Sequence, residues 1–342
     1  MRAEVSARLR SPVSLTVLGL VLLLLLAAIV GHAGEGSPAA ARETVRDRTR
    51  APVEGDSHAV TAALPSPVVP APPPIAPKPQ LPGGGYRVFG EPGHPRFLVA
   101  YYGTAQTGSM GVLGRTDPDT MQRRLVRAAR PFREAGERLQ PVYELIVTVA
   151  DGAPGPDHDY SHDIPRPLVE RYVQAARRHG ALLLLDIQTG RSSFPDVARR
   201  WAWALQKPWV GLALDPEWRM GPHEIPARVV GSVRAAEVNR TSLWLSRLVE
   251  REGLPEKLFV LHQFRLSMLP DISRIVHRPG LAMVQHTDGF GTRGQKLATY
   301  HAVTRPRQFR QGFKLFYHWD IHRFTPQQVR RITPAISFVS YQ

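Results

Sequence analysis

Eight short apolar runs recur along residues 96–342, and nothing else in the chain limits its fold as strongly. They are Phe97–Tyr102, Val142–Val149, Leu182–Gln188, Val210–Glu217, Leu258–Phe264, Leu281–Asp288, Phe313–Asp320 and Ile336–Tyr341. Each is nearly continuous in hydrophobic residues, as expected of strands buried on both faces of a parallel sheet. Between most of them lies a stretch with helical period. Asp117 reads as an N-cap with Pro118 at the first helical position, followed by Met121, Leu125, Ala128 and Phe132. Leu168/Tyr172/Ala176, Val197/Trp201/Leu205 and Val238/Leu245/Val249 continue the rhythm, the last closed by Gly253. Thr325-Pro326 opens a further helix before Val329 and Ile332.

Strands and helices alternating eight times over ~250 residues predict an α/β fold of the (β/α)8 TIM barrel type. A doubly wound open sheet is the competitor, but no GxGxxG turn follows the first run. The eighth run ends next to Gln342, so the final helix is expected to be missing or replaced by residues 85–95. The connection from Arg265 to Gly280 has room for only a short helix around Ile272–Val276.

The first eighty-four residues read as delivery. Arg2, Arg8 and Arg10 precede an apolar run from Val13 to Val30, and small residues follow, including Ala33. Two readings stay open for residues 1–33: a secretory signal cleaved after Ala33, or an uncleaved N-terminal membrane anchor through residues 13–30. Both place the barrel outside the cytoplasm, secreted or tethered. Residues 34–84 form a Pro-rich linker without sustained period. Nine prolines between positions 65 and 82 make its second part an extended spacer that ends at Gly83-Gly84-Gly85. Residues 85–342 are left for the barrel domain.

The chain has no cysteine, which excludes disulfide pairing, thiolate metal sites and a cysteine nucleophile. With 44 Lys/Arg against 29 Asp/Glu the formal charge is +15. Residues 1–84 carry 8 basic and 6 acidic residues, which leaves +13 on residues 85–342. A field of that sign favours polyanions such as wall polymers, acidic glycans or phospholipid headgroups. No RNA-binding or zinc-finger motif and no long basic tract is present, so nucleic acid is not an expected partner.

In such a barrel, side chains alternate between interior and helix layer, and chemistry sits at the C-terminal mouth. In the fourth run, Leu212 and Leu214 should meet helices while Gly211, Ala213, Asp215 and Glu217 face inward. Same-face strand residues lie ~6.6 Å apart, so the two carboxyls should perturb each other and hold one proton near neutral pH. In the third run, Leu182, Leu184, Asp186 and Gln188 share a face. The sixth pairs His286 with Asp288, and the seventh pairs His318 with Asp320. Tyr101, Tyr102, His262, Gln263, Gln285, Tyr317, Tyr341 and Gln342 close the remaining strand ends. Flat rings join them at the rim, notably Trp218 and Trp319, also Phe264 and Phe290. Aromatic faces beside Asp, Gln and His suit a sugar ring.

The segment Gly211–Trp218 resembles the fourth-strand signature of secreted barrel glycoside hydrolases, in particular the chitinase-like family 18 and the lysozyme-like family 25. In both, an Asp-x-Glu at the end of the fourth strand carries an acid of glycosidic cleavage. The resemblance implies that Glu217 is the general acid and that Asp215 tunes it. The chain departs from the chitinase-like pattern at Val210, Ala213 and Pro216, and matches its sixth-strand Tyr-Asp pair only as Thr287-Asp288.

Three functions follow. The leading one is an extracytoplasmic glycoside hydrolase acting on a cell-wall or extracellular polysaccharide, with Glu217 as acid and Asp186, Asp215 or Asp320 as partner. It needs no metal or cofactor. The second is a non-catalytic barrel that binds a glycan or a partner through the same mouth. The third is a metal-dependent hydrolase using His286-x-Asp288 and His318-x-Asp320-x-His322, although the first strand lacks the His-x-His of metal-dependent amidohydrolase barrels.

Overall fold

The computed structural model describes residues 78–342. The apolar run at 13–30 and most of the Pro-rich linker lie outside the described residues. Among the described residues, no helix is long and apolar enough to cross a membrane.

Eight parallel strands close a barrel: β1 (His94–Thr104), β2 (Arg138–Ala150), β3 (Leu182–Ile187), β4 (Val210–Leu214), β5 (Lys257–Gln263), β6 (Leu281–Thr287), β7 (Arg310–Leu315) and β8 (Ile336–Tyr341). Each pairs with its neighbour in chain order, and β8 returns to β1 with Phe338 beside Leu98 and Tyr341 beside Tyr101. Within the ring of eight no strand edge is left open, and two short antiparallel segments, Gly90–Glu91 on β1 and Ser161–Asp163 on β2, attach to it. The helices are α1 (Pro118–Ala129), α2 (Arg166–His179), α3 (Phe194–Arg200), α4 (Ala202–Leu205), α5 (Ala235–Arg251), α6 (Arg293–Val303) and α7 (Pro326–Arg330). Asp117 caps α1 through the backbone N–H groups of Asp119 and Thr120, as its sequence predicts. Thr292 and Thr325 form capping boxes with Gln295 and Gln328 at the starts of α6 and α7.

Strand parity sorts the core into two regions. Leu183, Leu185, Leu212, Leu214, Phe259 and Leu261 face the helices. Leu98, Ala100, Val142, Leu182, Leu184, Ala213, Leu258, Val260, Ala282 and Val284 fill the lower half of the barrel. At Gly211 a Cβ would stand 2.3 Å from the Leu258 carbonyl oxygen, so only glycine lets β4 approach β5 this closely.

Four expectations are corrected. Residues 85–95 do not stand in for a final helix. Leu81, Val88 and Phe89 instead close the N-terminal end of the barrel, packed with Leu98 and Phe338, so the core begins ahead of residue 85. The outer face of β8 and β1 is covered by the turn Arg130–Phe132: Phe132 stacks on Phe97 at 5.3 Å and meets Tyr341 edge-on. The β5–β6 connection holds two 3-10 turns, Leu266–Met268 and Ile272–Arg274, rather than a short helix. The Val197–Leu205 stretch breaks into α3 and α4 at Trp201, whose indole Nε1 donates to Thr148 Oγ1 at 3.0 Å. Finally, β7 ends at Leu315. Asp320 accepts the Phe316 N–H and turns the chain out of the ladder, so residues 316–320 form a loop.

Candidate active site

Halfway up the barrel the interior changes from aliphatic to ionisable. Parity carries Tyr102 from β1, Glu144 from β2, Asp186 from β3, Asp215 just past β4, His262 from β5, His286 from β6 and Lys314 from β7 into this layer, all buried. Asp288 follows β6 directly and is buried beside them. Charges in such a place must pair, or change protonation.

His262 is the hub. Its Nε2 lies 3.1 Å from Glu144 Oε1 and 3.9 Å from Asp186 Oδ2, and its Nδ1 lies 3.2 Å from Asp288 Oδ2. Burial and Lys314 would both discharge the ring, yet the flanking carboxylates Asp288 and Glu144 hold it well above the ordinary histidine range. His286 goes the other way. Burial, then the charges of His262 and Lys314, push it well down, and its Nε2 meets Ser340 Oγ at 3.2 Å. The Lys314 ammonium stands 3.6 Å from Asp288 Oδ2 and 3.7 Å from the Tyr102 ring centroid. Burial opposes its charge, but Asp288 and Glu144 raise its pKa above that of an ordinary lysine.

The carboxyls divide accordingly. Burial would raise Asp288, but Lys314 and His262 overcome it and lower its pKa. Asp186 is pushed up to about 6 by burial, against the pull of His262. Asp215 is pushed up to about 8 by burial and by the charge of Asp186. Glu217 is raised well above the carboxylate range, by burial first and then by Asp215 and Asp288. It is half-buried and lines the open cavity. Glu217 does not extend β4: it sits in the 3-10 turn Pro216–Trp218, whose first position is the proline.

A cavity of about 400 Å³ opens above this floor at the C-terminal end of the strands. Asp215, Glu217, Asp288, Lys314, Tyr102 and Gln188 form its polar base. Trp218, Phe264, Phe290, Phe316 and Trp319 wall one side, with the rings of Phe290, Phe316 and Trp319 within 5.5–5.8 Å of one another. Gln106, Thr107, Ser109, Asp151 and His162 line the more polar side. His162 Nδ1 meets Asp151 Oδ2 at 2.6 Å there.

The structure therefore brings Tyr102, Gln188, Asp215, Glu217, Trp218, Asp288 and Trp319 to one cavity, with Asp186, His262 and His286 beneath it. Other candidates fall elsewhere. Asp320 is bound by Lys296 Nζ at 3.0 Å and does not line the cavity. Tyr101, Tyr317 and Tyr341 cluster on the helix side of the barrel wall, where the Tyr317 and Tyr341 rings stack at 5.2 Å. Gln285 donates to Gln263 Oε1 and the Val303 carbonyl, also on the outer side. His318 lies exposed on the rim against Arg115. His286 and the His318–His322 segment thus do not converge, and among the described residues no group of three His, Asp or Glu side chains is disposed to hold a metal ion.

Sequence reasoning missed Glu144, Lys314 and Phe316. The available signal was a single charge inside an otherwise apolar strand. Such a residue must face a paired interior, as Glu144 and Lys314 do, whereas Phe316 carries no signal of this kind.

No protein-family model matches the chain, and no curated protein matches it. The likeness to the chitinase-like and lysozyme-like families therefore rests on Gly211–Trp218 alone. Among solved structures, the chain is similar to a quadruple mutant of the α-N-acetylgalactosaminidase NagBb from Bifidobacterium bifidum. The two are 14% identical with a TM-score of 0.28, over 57% of this chain and 37% of that one. The chain thus spans little more than a third of that protein's length.

Proposed function

We propose that the barrel is a glycoside hydrolase acting outside the cytoplasm on a polysaccharide, with Glu217 as proton donor and Asp288 as the ionised partner. One observation carries this reading. Glu217, whose burial favours the protonated form, and Asp288, held by Lys314 and His262, line one cavity together with aromatic rings. Burial first, and then the neighbouring carboxyls Asp215 and Asp288, keep the proton on Glu217, while Lys314 and His262 keep Asp288 charged.

The chemistry follows from those states. Glu217 gives its proton to the glycosidic oxygen as the bond to the anomeric carbon breaks, and the departing sugar leaves as an alcohol. Positive charge developing on the ring is stabilised by Asp288, which either attacks the anomeric carbon to form a glycosyl ester that a water deprotonated by Glu217 then cleaves, or takes a proton from a water attacking that carbon directly. In both cases the elements of water are divided between the two products. The rings of Trp218 and Trp319 offer stacking faces for the sugar.

The test is incubation of the full chain with a panel of envelope and extracellular polysaccharides, reading new reducing ends. Wild type should release product. Glu217→Gln and Asp288→Asn should each lose at least ~100-fold in rate. Equal product from wild type and Glu217→Gln would discard the assignment.

A further inference from the structure

We propose that the lip formed by the loops after β1 and β7 binds the carboxylate or phosphate groups of an anionic polysaccharide as it enters the cavity. This rests on the cavity being a polysaccharide site, and it names the class of that polymer.

Arg115 donates through Nη2 to His318 Nε2 at 3.0 Å and through Nε to the Gly108 carbonyl at 3.4 Å. That bridge joins the loop after β1 to the loop after β7. The Arg323 guanidinium carbon lies over the Tyr317 ring, 4.4 Å from its centroid. Arg293 donates to the Arg323 carbonyl at 3.1 Å and braces it from α6. Among the described residues, none of these three guanidinium groups enters an ion pair, whereas Arg166, Arg199 and Arg219 each do. The acids of the same loops face inward or serve the backbone. Asp117 accepts the first N–H groups of α1, and Asp320 is held by Lys296.

Position ties the lip to the cavity. Thr107, Ser109 and Met110 flank Gly108 and line the opening, and Phe316 and Trp319 bracket Tyr317 and His318 in the chain. A chain crossing this edge would set a sugar face on Trp319 and its anionic groups on the arginines. A guanidinium fork matches carboxylate and phosphate geometry, and the tyrosine plane beneath Arg323 restrains it in advance. In the connection after β2 the acids are engaged within the protein, Asp151 with His162 and Asp159 with Ser161 and Ser192. The overall charge of +15 brings a polyanion to the molecule, and the lip selects where it lands.

Binding of the full chain to beads carrying polygalacturonate, a glycerol-phosphate teichoic acid, or neutral pullulan tests the proposal without requiring hydrolysis. Wild type should bind at least one anionic polymer about tenfold tighter than pullulan, and the preferred one tells carboxylate from phosphate. Arg115→Ser/Arg323→Ser should lose about tenfold on that polymer. Arg127→Ser/Arg171→Ser removes the same charge from exposed positions of α1 and α2 and should lose less than about twofold. Equal losses in the two double variants, or no preference of wild type for an anionic polymer, would overturn the proposal. If wild type cleaves none of the polymers while the lip variant alone loses binding, the hydrolase reading fails and the lip stands.

Discussion

Lys314 and Asp288, brought in by neighbouring strands, meet 3.6 Å apart beneath the cavity, and both are buried. The pair decides which carboxyl of the floor is ionised. Lys314→Met should leave Asp288 buried beside His262 with one cation fewer, at a cost of about 3 kcal/mol in stability. Adding Asp288→Asn should recover part of that loss. Urea denaturation of the two single variants and the double variant checks both statements.

Asp215 gives stability a pH dependence of known sign. Burial and the charge of Asp186 push its pKa up to about 8 in the folded chain from the 3.8 of an ordinary aspartate, so the folded state holds the extra proton between those values. Its stabilising contribution is complete below 3.8 and is lost as pH rises through 8. The thermal midpoint of wild type should fall across that window. Asp215→Asn should fall less, and parallel curves for the two proteins would contradict the assignment. Activity should decline on the same alkaline side as Glu217 loses its proton.

Lys257 gives the opposite slope. It is buried at the lower end of the barrel, donating to the Lys207 and Val210 carbonyls, and burial lowers its pKa from 10.5 to about 7. Between those values the unfolded chain binds the proton and the folded chain does not, so this contribution strengthens as pH rises and is lost as pH falls through 7. Relative to Lys257→Met, wild type should gain stability from pH 7 towards 10. Denaturation of both proteins at several pH values measures the difference directly.

Phe89 tests the plug. It is 7% exposed and packs against the lower barrel layer, at the end away from the cavity. Phe89→Ala should cost about 3 kcal/mol. If the plug is purely structural, ligand affinity at the mouth should stay within about twofold once the variant is folded.

Much of this molecule was legible from period and parity. A period of two within runs that are apolar on both faces determined that the strands pack inside a helix layer. It also separates Leu212 and Leu214 from Ala213 and Asp215 by alternation alone. The same logic sets Asp186 on one face with Leu182 and Leu184, which do fill the barrel interior. Parity fails where the strand ends. His318 and Asp320 were read as a same-face pair, but Lys296 and the Phe316 N–H draw Asp320 aside and the ladder stops at Leu315.

What the amino-acid order alone determined, then, is a closed ring of buried strands with acids at the end of the fourth, since burial and alternation are local properties of a run. Only the tertiary structure decided which charges meet. Glu144, Asp186, His262, Asp288 and Lys314 come from five strands spread over positions 144–314, and no spacing along the chain encodes their contacts. Which carboxyl keeps its proton depends on distances between strands and on exclusion of water, and both exist only once the barrel has closed.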